Sequence, residues 1–310
     1  MASRVTLRDF FWMAAGAILL LAAVVGALLF QRQDDSSARL RSRARRLELV
    51  QTLQIQLSLA SEAEKSAVMA TTDQESQQFA DQSRADSKEV ARARDQLLPL
   101  LSGAAGAESE LLGQFSRAFD ACQKIDDGLL DLAVENTNLK AYDLAFGPAA
   151  DALHRMDQAL GTLRQENARS SSPESRRVAE LAADAECGAL RIQALLAPHI
   201  SEESDEKMNA LEAEMAREDM GVHKNLAALG TNVPSRLSGE LRTADSAYAG
   251  FSDLRRQIIR LSRQNSNVRS LAISLNEKRK ALEVCRDALD ALARAIQSEP
   301  AGASVPASPR

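Results

Sequence analysis

Three histidines (His154, His199, His223) and three cysteines (Cys122, Cys187, Cys285) are the side chains with most reach in nucleophilic, redox or metal chemistry. Their spacing argues against each use. No two histidines stand at i, i+4, the separation that turns two imidazoles toward one metal on a helix face. The cysteines are odd in number and scattered among apolar neighbours, so they read as small buried hydrophobes, with one intramolecular disulfide left open. No Gly-rich phosphate loop, nucleophile elbow, zinc motif or kinase signature occurs. Carboxylates are spread over polar helix faces, and no catalytic pair stands out. The expectation is therefore no enzyme, no metal and no cofactor. A net charge of −5 lacks the basic face of a nucleic-acid binder.

The elements that would position any site are helices. The 310 residues are 45% hydrophobic but only 4% aromatic, with Ala and Leu the commonest and Glu, Arg and Gln frequent among the polar residues. That is the vocabulary of helices packed through small and aliphatic side chains, so the fold class is all-α. A long repeat organises them. The stretch from Asp131 to Leu160 recurs 129 positions later, with identical pairs Asn136/Asn265, Asn138/Asn267, Ala152/Ala281, Leu153/Leu282, Ala159/Ala288 and Leu160/Leu289. A period this long repeats a module rather than a solenoid unit.

After an N-terminal segment 1–9, residues 10–30 form an uncharged apolar run long enough for one transmembrane helix. A cleaved signal peptide is the rival reading of the same run. The first copy occupies 37–166, 167–173 is a linker, the second copy occupies 174–297, and 298–310 is a Pro/Ala/Ser-rich disordered tail. Helical spacing turns Leu40, Leu47, Val50, Leu53 and Leu57 to one face, and Phe79, Val90, Leu97 and Leu98 inward on the next helix. Asn136 and Asn138 mark a helix end with a new cap, Pro148 a kink, and Pro198–Ser201 a break. Four helices with short connections per copy predict two tandem antiparallel four-helix bundles after the membrane helix. The arginines after the span, read literally, favour a cytoplasmic bulk, although large domains translocate despite such charge.

The stretches Glu64–Gln82 and Leu129–Leu160 resemble the four-helix-bundle ligand-binding domain of methyl-accepting chemotaxis proteins. The resemblance spans about 39–165 well and 174–296 more weakly. It implies a sensory module in the inner membrane, single-pass, with the bulk of the chain periplasmic. It also implies a small-molecule ligand, and a receptor or kinase protein partner or a homodimer. The chain departs from the family in having two copies and no cytoplasmic signalling domain of its own. In that family the ligand lies at the membrane-distal end between first and fourth helices. This places Lys65, Thr71, Thr72, Asn136, Asn138 and Lys140 at the site of copy one, with Arg191, His199, Asn265, Asn267 and Arg269 as the set in copy two. Cations beside amides at a helix start suit a small carboxylate, and capping explains the same residue types. The competing function is a membrane-anchored helical scaffold that binds protein through helix faces.

Overall fold

The computed structural model describes the backbone of residues 7–101, 106–169 and 172–298, and side chains from residue 37 onward. Every described element is helical. Helix α1 spans Leu7–Met69, α2 Asp73–Leu101, α3 Ala107–Glu135, α4 Thr137–Phe146 and α5 Pro148–Asn167. They are followed by α6 Pro173–Ser201, α7 Asp205–Asn232, α8 Ser238–Gln264, α9 Ser266–Ile273 and α10 Arg279–Ser298. A 3₁₀ turn, Ser235–Leu237, precedes α8, and a π turn, Ser274–Lys278, joins α9 to α10.

The ends are set by local chemistry. Thr72, Ser172 and Ser204 accept from the backbone N–H of Glu75, Ser175 and Lys207, satisfying donors that a helix start leaves unpaired. Pro173 and Pro148 occupy the first helical position, where a missing N–H costs nothing. Asn136 and Asn265 are the only non-glycine residues with positive φ among the described residues, at 50° and 56°. Asparagine tolerates that left-handed conformation better than most side chains. Each is a break of a single residue, between α3 and α4 and between α8 and α9. Gly147 makes a further break, and a Cβ there would stand 2.8 Å from the Asp143 carbonyl oxygen.

The chain forms two compact units, and they are not the sequential copies 37–166 and 174–297. One unit takes residues 1–60, 84–122 and 281–310, and the other takes 61–83 and 123–280. In the first, Leu49–Leu57 of α1, Val90–Leu101 of α2 and Leu112–Cys122 of α3 share a core with Leu282–Ile296 of α10. In the second, α4 and α5 share a core with α6, α7 and α8. The fourth helix of each copy thus packs with the first three helices of the other. On α10, Leu282, Cys285, Leu289, Leu292 and Ile296 fall at alternating steps of three and four and are all buried. Full burial of each large aliphatic side chain is worth about 1.5–3 kcal/mol.

Several expectations fail at particular residues. Leu40, Phe79 and Leu98 face outward, at 62%, 37% and 56% exposure, because helix-face periodicity does not say which flank of a broad stripe meets a neighbour. Pro198 does not break its helix. Although Pro198 removes one N–H from the ladder, α6 continues three residues further to Ser201, with His199 and Ile200 fully buried. Cys122 and Cys285 are buried as expected, whereas Cys187 is exposed, and none of the three is in a disulfide. The expected membrane span 10–30 and the expected tail 298–310, apart from Ser298 at the end of α10, lie outside the residues whose side chains are described. Among the described residues no helix is long and apolar enough to cross a membrane.

Candidate functional site

The two asparagine breaks meet inside the second unit. Asn138 donates its backbone N–H to Asn267 Oδ1 at 3.1 Å, and Asn267 returns the same bond to Asn138 Oδ1 at 3.1 Å. Thr137 and Ser266 repeat this exchange one residue earlier, at 3.1 and 3.0 Å. Asn138 Nδ2 donates to Asn265 Oδ1 at 2.7 Å and to the Ile200 carbonyl at 2.6 Å. Asn267 Nδ2 donates to Asn136 Oδ1 at 2.9 Å. Asn136 Nδ2 reaches Asp73 Oδ1 at 3.0 Å and Ser76 Oγ at 2.8 Å, and Asn265 Nδ2 reaches the Glu202 carbonyl at 2.9 Å. The Asn136 amide, and then Lys140, hold the Asp73 carboxyl below the usual carboxylate range.

Four of the expected ligand residues are therefore brought together, but their amides spend their hydrogen bonds on one another and on adjacent helix ends. The others are not part of that amide network. Lys140 pairs with Asp73 at 3.2 Å, and Arg191 pairs with Glu218 at 3.5 Å on an exposed face. Thr72 caps α2, and Lys65, Thr71 and Arg269 are exposed. His199 is fully buried, with Nδ1 2.8 Å from Ser262 Oγ and Nε2 2.9 Å from Glu212 Oε1. A ring nitrogen facing a carboxylate carries the proton, so Nε2–H donates to Glu212. Arg263 Nε binds the same oxygen at 2.7 Å. Burial works to raise the Glu212 pKa, but the hydrogen bonds from Arg263 and His199 outweigh it and lower it.

Two arrangements were not visible in the sequence. The first is a concave groove of about 480 Å³ between α5 and the first turns of α8, lined by Arg155, Gly239, Arg242, Thr243, Ser246 and Ala247. Neither Arg155 nor Arg242 has a carboxylate partner among the described residues. The Thr243 hydroxyl donates to the Gly239 carbonyl at 3.1 Å, which leaves the two guanidiniums and Ser246 as donors toward the groove. The start of α8 adds the partial positive charge of a helix N-terminus. Such a lining suits a small anion, because guanidinium forks match carboxylate and phosphate oxygens. The groove joins a helix of copy one to a helix of copy two, so bundles built from one copy each never bring Arg155 and Arg242 together.

The second is a buried charged centre. Glu64 of α1 is 1% exposed, Asp126 of α3 is 7% exposed, and Lys278 of the π turn is 3% exposed. Lys278 Nζ donates to Asp126 Oδ2. Burial raises the pKa of both carboxyls, with Lys278 opposing the rise in each. Elsewhere in the unit, Asp219 takes Arg255 Nη1 at 3.0 Å and the Tyr248 hydroxyl at 2.5 Å. Burial and then Asp219 push the Tyr248 phenol up.

No protein-family model matches the chain, and a search of curated proteins finds no match.

Proposed function

We propose that the chain is a sensory module of two helical bundles with exchanged fourth helices, binding a small organic anion in the α5–α8 groove. In this reading residues 10–30 anchor it in the inner membrane with the bulk periplasmic. It acts on a receptor or kinase partner, or as a homodimer. The resemblance of 39–165 to chemotaxis receptor sensor domains supports the class. The observation that carries the ligand is the pair of unpartnered arginines, Arg155 and Arg242, facing one groove.

The test is a thermal-shift screen of the full chain in detergent against mono- and dicarboxylates and inorganic phosphate. A ligand that binds only the native state adds about 2.7 kcal/mol of apparent stability at a hundred times Kd. A saturable shift lost in both Arg155→Ala and Arg242→Ala is expected. A shift retained in both variants would move the site elsewhere. The absence of any saturable shift would favour the scaffold reading. That second reading has its own support in Phe146, Leu271 and Leu275, exposed at 59%, 43% and 57% on the fourth-helix segments, as a protein-binding face requires.

A further inference from the structure

We propose that Glu64 is a proton-binding site: the described conformation holds it as the neutral acid, and loss of its proton to water loosens the π turn Ser274–Lys278. Three observations carry this. The centre holds two carboxyls and one ammonium, and Lys278 Nζ donates to Asp126. Both oxygens of Glu64, together with Asp126 Oδ1 and Ser61 Oγ, are buried and have no hydrogen-bond partner. The Ser274 hydroxyl lies beside Glu64 and opposes the rise in its pKa, but neither Glu64 oxygen completes a hydrogen bond. An ionised Glu64 would therefore be a second negative charge, out of water and with no completed hydrogen bond, and such a group is driven toward its neutral form.

The repeat supplies an internal comparison. A shift of 129 carries Glu64 to Gln193 and Ala145 to Ser274, and these residues meet in the same pairing: Glu64 beside Ser274, Gln193 beside Ala145. Gln193 Nε2 donates to the Ala145 carbonyl at 2.6 Å. The chain thus uses a neutral side chain with a donor at the equivalent place, and protonated glutamate is the closest titratable counterpart of that amide. The same shift carries Lys278 to Ala149 and Asp126 to Arg255, so the equivalent position has no Lys–Asp pair of this kind. The π turn also falls where the other copy breaks its fourth helix, Gly147 matching Asn276. Lone π turns in otherwise α-helical stretches are frequent at functional sites.

The charged groups acting on Glu64 are Lys278 on the π turn, Asp126 on α3 and Lys65 on its own helix, and Asp127 acts further on Asp126. Burial is the largest influence and raises the Glu64 pKa above its ordinary 4.5. A raised folded value means that the folded chain binds the proton more tightly than the unfolded chain. The associated stability is full below 4.5 and is lost as pH rises through the folded value.

The experiment is chemical denaturation of the full chain in detergent across pH, with wild type, Glu64→Gln and Asp126→Asn, alongside amide hydrogen exchange of residues 274–278. While Glu64 titrates, the wild-type unfolding constant should rise up to tenfold per pH unit relative to Glu64→Gln. Exchange at the π turn should quicken over the same interval. In Asp126→Asn the freed Lys278 should pair with Glu64 and move that interval to lower pH. Identical pH slopes for wild type and Glu64→Gln would overturn the proposal. Should Glu64→Gln not fold, infrared titration of wild type carrying isotope-labelled glutamate decides. A protonated glutamate band is expected to outlast the exposed glutamates, and a spectrum without one overturns the proposal.

Discussion

Asn138→Ala is the perturbation that most directly tests the polar layer joining the two copies. The side chain donates to Asn265 Oδ1 at 2.7 Å and to the Ile200 carbonyl at 2.6 Å, and accepts from the Asn267 backbone N–H at 3.1 Å. Truncation orphans three partners at a site where Asn138 and Asn265 are 5% and 3% exposed. An unsatisfied buried group costs about 1–3 kcal/mol, so the loss should total about 3–5 kcal/mol, allowing for some water entry. Asn267→Ala removes only the bonds to Asn136 Oδ1 and to the Asn138 N–H from a half-buried residue, and should cost about 1–3 kcal/mol. Because each residue bonds the other's backbone, the double variant should be non-additive by about 1–2 kcal/mol. Denaturation of the full chain followed by circular dichroism measures all three. Thr72→Ala, an exposed cap expected to cost about 0.5–2 kcal/mol, is the control. If Asn138→Ala costs no more than Thr72→Ala, or if the pair proves additive, the layer is surface capping and not a structural joint.

Two more outcomes follow from single residues. Gly147→Ala places a Cβ 2.8 Å from the Asp143 carbonyl oxygen, a contact with backbone that cannot swing aside. It should destabilise by about 1–3 kcal/mol, seen as a lowered thermal midpoint, and an unchanged midpoint would mean that the α4–α5 break relaxes freely. Glu212→Gln addresses acid sensitivity. The folded pKa of Glu212 is depressed below 4.5, so its contribution is present above that value and lost as pH falls through the folded one. The variant should have a shallower acid limb in denaturation midpoint against pH, and an unaltered limb would show that Arg263 and His199 do not stabilise the ionised form.

The all-α class was legible because Ala/Leu-rich periodicity is a local property. The break at Asn136 was expected, whereas the caps Ser172 and Ser204 were not singled out, although each acts within one turn. Pro198 misled because the burial of His199 and Ile200, which accompanies the last turn of α6, is a tertiary property and not a local one. The repeat singled out Asn136 and Asn138 with Asn265 and Asn267 as paired positions of the two copies. Their partnership with one another was hidden, because the same residue types serve a cap, a ligand and a symmetric joint equally well. Arg155 and Arg242 carried no signal at all. One lies on copy one and the other on copy two, and only the packing of α5 on α8 gives them a common groove.

That packing has a cause in the length of the breaks. A helix that folds back antiparallel on its predecessor needs a loop of roughly two to five residues. Between α3 and α4 the chain provides one, Asn136, and between α8 and α9 again one, Asn265. Each has φ near 50° and a following residue that is already helical, so neither break can reverse the chain. The fourth helix cannot return to the core of its own copy and must bury its apolar face elsewhere. The repeat supplies a fitting place, because Leu153, Leu160 and Leu163 of α5 stand at the positions of Leu282, Leu289 and Leu292 of α10. Either fourth helix matches either core in pattern, and the one-residue break selects the exchange. Two breaks related by that exchange then meet as equals, which is why Asn138 and Asn267 bond each other's backbone with the same length in both directions. The asparagines first read as a ligand's anchor are thus the joint that the exchange requires. The residues left free to bind an anion lie on α5 and α8, which share a core because of that exchange.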